Sequence, residues 1–153
     1  MPKSAKKIRL MVGADHAGFD LKAMLLEYLS AEGIGWVDAG TFSHESVDYP
    51  DVAVKVARAV QKGQATFGLL ICGTGIGMSM TANRLAGVRA ALCNDLFTAR
   101  MARAHNDANL LALGSRVVGP GLAQEIVKTF LETPFEGGRH LRRVDKIESV
   151  VHD

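Results

Sequence analysis

Apolar residues follow two rhythms along this chain, and the rhythms alternate. Some runs are short and almost continuously apolar, as over residues 8–12, 67–72 and 110–113. Between them the apolar positions recur every three or four residues, as Leu21, Met24, Leu25 and Leu29 do, and later Val52, Val56 and Val60. Continuous short runs suit strands buried on both faces, and the wider spacing suits amphipathic helices. The pattern predicts strands over residues 8–12, 33–38, 67–72, 89–93 and 110–113. It predicts helices over 18–31, 50–62, 76–84, 95–104 and 121–131, and a last one over 136–150. Pro50 is suited to a first helical turn and Gly63 to a helix end.

Five strands separated by helices imply a mostly parallel sheet covered on both faces, with right-handed crossovers. The expected fold is therefore a three-layer α/β/α, Rossmann-like domain with five parallel strands in the order 2-1-3-4-5, plus a C-terminal helix. That helix either lies across the domain or reaches a partner subunit. No linker, repeat or low-complexity stretch interrupts residues 8–153, which read as a single domain. Residues 1–7, with Lys3, Lys6 and Lys7, read as a disordered basic tail. In a sheet of this order, ligands bind outside the carboxyl ends of the strands, between the first and the third.

Composition narrows the function classes. A chain of 153 residues, 48% hydrophobic, suits a globular domain with a substantial core. A net charge of +2 is too small to argue for nucleic acid or a membrane surface. No apolar run is long enough for a signal peptide or a span, and two cysteines make no disulfide framework, so the expected setting is the cytoplasm.

The chemistry concentrates at the expected switch point. Cys72 ends the third strand and is followed by Gly73-Thr74-Gly75-Ile76-Gly77. Glycines let a backbone approach a ligand and turn its N–H groups toward an anion, although the same pattern also makes an ordinary tight turn. A dinucleotide fingerprint belongs after the first strand, and a nucleotide P-loop needs Gly-Lys-Ser/Thr, which is absent here. A cysteine phosphatase loop would end in arginine where this chain has Met78. A thiolate beside anion-stabilising donors could instead abstract a proton next to a carbonyl. Cys93 reads as a buried small hydrophobe. Asp15-His16 follows the first strand, where Asp15 is either a helix cap or a substrate contact. His105-Asn106 precedes the fifth strand, at the opposite end of the sheet. His105 is therefore either inert or serves a neighbouring subunit. Arg139 and Arg143 share a helix face and could clamp a phosphate or form a solvated basic surface, and Arg116 follows the fifth strand. The histidines are scattered and neither CxxC nor HExxH occurs, so no metal site is expected.

Several segments together carry a specific resemblance. They are Gly13-Ala14-Asp15-His16-Ala17-Gly18, Val47-Asp48-Tyr49-Pro50, the stretch 71–77, Ala82-Asn83, His105-Asn106-Asp107-Ala108-Asn109, Gly114-Ser115-Arg116-Val117-Val118-Gly119 and Glu136-Gly137-Gly138-Arg139-His140. Over residues 9–147 the chain resembles the type B ribose-5-phosphate isomerases, of the sugar-phosphate isomerase family that also contains galactose-6-phosphate isomerase. The resemblance implies interconversion of ribose 5-phosphate and ribulose 5-phosphate, in the non-oxidative pentose phosphate branch, without metal or organic cofactor. It implies Cys72 as the base moving a proton between C1 and C2, with Thr74 and the backbone of Gly73, Gly75, Ile76 and Gly77 stabilising the enediolate. It assigns ring opening to His105 with Asp15, phosphate binding to His16, Arg116, Arg139 and Arg143, and lining roles to Tyr49 and Asn106. It further implies a homodimer, or a tetramer of paired dimers, with active sites shared between subunits, which would account for the remote position of His105. Relatives that lack the cysteine use a glutamate at the position of Met78, so this chain resembles the cysteine subclass. Galactose-6-phosphate isomerase subunits lack the His-Asn pair and the Gly-Gly-Arg-His segment found here. Other relatives act on allose 6-phosphate or four-carbon sugar phosphates, and a non-catalytic sugar-phosphate-binding module would not need Cys72 together with His105.

Overall fold

The most apolar run of the chain becomes the middle of a sheet. In the computed structural model, which describes residues 8–150, all six residues of β3 (Phe67–Cys72) are buried. β1 (Arg9–Ala14) and β5 (Leu110–Gly114) flank it, and β2 (Gly35–Asp38) and β4 (Ala90–Leu92) form the edges. All pairings are parallel. Residues 1–7, expected to form a basic tail, lie outside the described residues.

The layered α/β/α class is as expected, but the order is 2-1-3-5-4, so the last two strands exchange places relative to the expected 2-1-3-4-5. Burial explains the exchange. The five residues of β5 are all buried and need cover on both faces and both edges, whereas the three of β4 are only half-buried and suit an edge. The exchange also decides where the helices lie, because right-handed crossovers fix the face from the direction of travel. α1 (Phe19–Ala31), α4 (Leu96–Ala104) and α5 (Pro120–Glu132) share one face, whose core includes Leu25, Leu29, Ala99, Ile126 and Phe130. α2 (Tyr49–Gln61) and α3 (Ile76–Ala82) cover the other with Val52, Val56, Met78 and Ala82. The switch point between β1 and β3 is unaffected.

The final helix, α6 (Arg139–Ser149), starts three residues later than its periodicity suggests. Gly137 and Gly138 have φ of +69° and +56°, outside the right-handed helical region, and so form a turn ahead of it. α6 lies at the amino ends of the strands, where Glu148 pairs with Arg89 at 2.6 Å.

Each end of the sheet has its own anchor. At the carboxyl end, Lys22 is fully buried, pairs with Asp38 Oδ1 at 2.7 Å and donates to the carbonyl of Thr41. The peptides of Gly40 and Thr41 in turn bond both backbone groups of Ala14, the residue before Asp15. At the amino end, Arg103 pairs with Asp107 at 2.8 Å and donates to the carbonyl of Ala108 at 2.7 Å. That fastens the turn from α4 into β5.

Candidate active site

A cleft of about 400 Å³ opens at the switch point, lined by Asp15, Tyr49, Cys72, Gly73, Thr74, Ile76, Gly77, Met80 and Arg116. The carboxyl ends of β1, β3 and β5 and the helices α2 and α3 supply these residues. β3 delivers Cys72, and its pairing with β1 and β5 sets Ala14 beside Ile71 and Gly114 beside Cys72. Asp15 and Arg116 follow from those two neighbours, and Tyr49 opens α2.

The loop after β3 is tightly held. Gly75 donates its N–H to Cys72 Sγ at 3.1 Å, so a backbone dipole already points at the sulfur. Its φ of +81° suits glycine, and an added Cβ would come within 2.9 Å of the Leu113 backbone. A Cβ at Gly77 would come within 2.3 Å of the Tyr49 ring, so that ring lies directly on the loop. Thr74 Oγ1 accepts the N–H of Ile76 at 3.2 Å, and Arg116 donates its backbone N–H to the Gly73 carbonyl at 3.0 Å.

Asp15 is not the N-cap of α1, which is Gly18, but it braces the turn that leads into the helix. Its Oδ1 accepts the N–H groups of Ala17 and Gly18 at 3.0 and 3.1 Å, which braces the entry to α1, and its side chain still lines the cleft. His16 lies beside the cleft, where its Nδ1 accepts the Val47 N–H at 3.2 Å. That bond favours the tautomer with its proton on Nε2. Cys93 is buried away from the cleft, and burial, with Asp95 adding to it and a Thr98 hydrogen bond opposing it, raises its thiol to about 11. It is a poor nucleophile at neutral pH.

The remaining candidates gather at the other end of the sheet. His105 ends α4 and stacks on His140, ring centroids 4.2 Å apart and 10° from parallel. Glu136 Oε1 is 3.8 Å from His105 Nε2 and 3.6 Å from His140 Nε2. Asn106 is exposed beside them, and Arg139 and Arg143 project from the exposed face of α6. β5 starts beside Gly68, four residues before Cys72, so the strand alone separates the two groups by roughly 13 Å. One chain therefore brings together Asp15, Tyr49, Cys72, the glycine loop and Arg116, but not His105, Asn106, Arg139 or Arg143. Sequence reasoning missed Met80, which lines the cleft four residues after Ile76 on the exposed side of α3. That helical spacing was the available signal. It also attached no role to Glu136 or His140, whose meeting depends on a glycine turn that periodicity does not register.

Known proteins are similar to this chain along nearly its whole length. Residues 10–147 match the model of the family described as Ribose/Galactose Isomerase. Ribose-5-phosphate isomerase B of Escherichia coli (strain K12) is 46% identical over 142 residues, covering 93% of this chain and 95% of that protein. The D-erythrulose-4-phosphate isomerase of Pectobacterium atrosepticum is 42% identical over 149 residues, 95% of this chain and 96% of that one. The solved structure of Clostridium thermocellum ribose-5-phosphate isomerase B superposes with a TM-score of 0.92 at 50% identity, covering 94% of this chain and 97% of that one.

Proposed function

The chain belongs to the ribose/galactose isomerase family, and from that premise we propose that it interconverts D-ribose 5-phosphate and D-ribulose 5-phosphate. The observation that carries this reading is the thiol of Cys72, seated in a cleft with a carboxylate, a guanidinium and a backbone N–H aimed at its sulfur.

The furanose ring opens first. Asp15 and His105 of the partner subunit move a proton from the anomeric hydroxyl to the ring oxygen, leaving an open-chain aldehyde. Cys72, as thiolate, then removes the proton on C2. The C–H electron pair becomes the C1–C2 double bond, and the carbonyl oxygen takes the negative charge. Thr74 and the N–H groups from Gly73 through Gly77 stabilise this enediolate. The hydroxyl proton on O2 passes to O1, and Cys72 returns its proton to C1, giving the ketose and regenerating the thiolate.

The phosphate is held by His16 through Nε2, by Arg116, and by Arg139 and Arg143 of the partner subunit, which offer planar paired donors. Tyr49 and the partner subunit's Asn106 line the sugar. Each site thus draws on two copies of the chain, which act as a homodimer in the cytoplasm. The second reading is a shorter sugar phosphate, favoured by the similarity to the Pectobacterium four-carbon enzyme. Parallel assays on ribose 5-phosphate, allose 6-phosphate, galactose 6-phosphate and erythrulose 4-phosphate separate the two. The highest kcat/KM is expected with ribose 5-phosphate, and a dominant rate on any of the others overturns the substrate assignment.

A further inference from the structure

Three side chains of metal-ligand type converge at the amino ends of the strands, each from a different place in the chain. His105 caps α4, Glu136 precedes the glycine turn, and His140 lies in the first turn of α6. Their ligand atoms all lie within 4.8 Å of one another. The carboxylate stands 3.6 and 3.8 Å from the two imidazole nitrogens, beyond the usual reach of a hydrogen bond. The three atoms therefore face a common gap instead of satisfying one another. In tetrahedral zinc sites with Zn–N near 2.0–2.1 Å, neighbouring ligands lie roughly 3.3 Å apart, so Glu136 is within a few tenths of an ångström of that spacing from either ring, while the widest separation, up to 4.8 Å, has to close further.

We propose that His105, Glu136 and His140 form a binding site for a divalent transition cation of the Zn²⁺ or Co²⁺ type, with a fourth position left to water. Two imidazoles and one carboxylate favour such ions over Mg²⁺ or Ca²⁺, which prefer all-oxygen shells. Stacked rings present their nitrogens side by side, so binding requires one ring to turn. His105 can do so, because 39% of its side chain is exposed, whereas His140 is held at 10%. Arg139 and Arg143 flank His140 on α6. The same two arginines repel a cation, so the binding is weak and reversible, unlike that of a structural zinc. One consequence rests on the function proposed above: an ion here takes His105 out of ring opening and inhibits the isomerase.

The test uses the full chain, stripped with EDTA and dialysed, then titrated with Co²⁺ alone. The expected result is one Co²⁺ per chain with the intense visible absorption of a tetrahedral site. Glu136→Gln and His140→Gln should each weaken binding at least tenfold, with folding checked by circular dichroism. Zn²⁺ should displace the Co²⁺ and lower the isomerase rate, and EDTA should restore it. Each variant, relative to its own metal-free rate, should need at least tenfold more Zn²⁺ for the same inhibition. Absence of a tetrahedral Co²⁺ spectrum overturns the site. So does a spectrum that both folded variants retain, or one with a thiolate band that disappears in Cys72→Ala. Saturation without inhibition, when both variants do weaken binding, keeps the site and removes His105 from the reaction.

Discussion

The two ends of this sheet are built on different terms. At the carboxyl ends, the cleft residues follow directly from strands whose register is set by buried neighbours, and Cys72 is the last residue of a fully buried strand. At the amino ends, His105 hangs on a turn fastened by Arg103, and Glu136 and His140 come together through two left-handed glycines and a helix held by Arg89. The first group owes its geometry to the core and the second to partly buried ion pairs. A strand length separates them, yet the proposed reaction needs both. On the function proposed above, the fold supplies half a site at each end, and a complete site requires the carboxyl end of one copy to meet the amino end of another.

Removing the chemistry at the carboxyl end should have the largest effect. Cys72→Ala is expected to lower kcat roughly 10³-fold with KM for ribose 5-phosphate little changed, as loss of a positioned base does. Undiminished turnover in the steady-state assay would remove Cys72 as the base. His105→Asn is expected to cost roughly 10²-fold by the same reasoning. Mixing breaks or sharpens the comparison itself. When equal amounts of the two variants are refolded together, half the dimers are mixed, and each mixed dimer has one intact site, so about a quarter of the wild-type activity should return. Recovery no greater than the sum of the two parents would mean that the ends do not cooperate between copies.

The same contrast explains what could be read in advance. β3 was legible because a fully buried strand needs no partner information to be recognised, and Cys72 and its loop were legible because they end it. The exchange of β4 and β5 was not, because alternation of strands and helices says that a crossover exists but not how far it travels. The apolar difference between Leu110–Gly114 and Ala90–Leu92 was the clue to which strand takes the edge. At the other end, the histidines looked scattered because His105 and His140 are far apart in sequence. Their meeting depends on Gly137 and Gly138, which interrupt the helical rhythm that would otherwise have run through Glu136.

Lys22 allows the carboxyl end to be loosened without touching the cleft. Lys22→Met keeps the apolar stem but leaves Asp38, whose side chain is 21% exposed, without its cation. Breaking a buried pair in this way should cost about 3 kcal/mol of stability, read as a lower urea midpoint. Hydrogen exchange should quicken over residues 38–48, which the pair fastens to Ala14, and not over α6. Equal quickening at both ends would show that they are not independently anchored.

The smallest effect belongs to the amino end and depends on pH. Burial holds His140 below the ordinary imidazole value of 6.5, with His105, Arg139 and Arg143 pushing the same way and Glu136 against them. At alkaline pH the ring is neutral in both folded and unfolded chains and contributes no pH dependence. As pH falls through 6.5 the unfolded chain takes up a proton that the folded chain resists, so stability declines until the pH passes the lowered folded value. Solvent near this surface keeps the decline small. Thermal unfolding of wild type and His140→Gln at pH 8 and pH 5 isolates it: the wild type should lose slightly more stability than the variant on acidification. A wild type that gained on the variant would require a protonated His140 in the fold, paired with Glu136. In that case the carboxylate, not the surrounding positive charge and burial, would govern this end of the molecule.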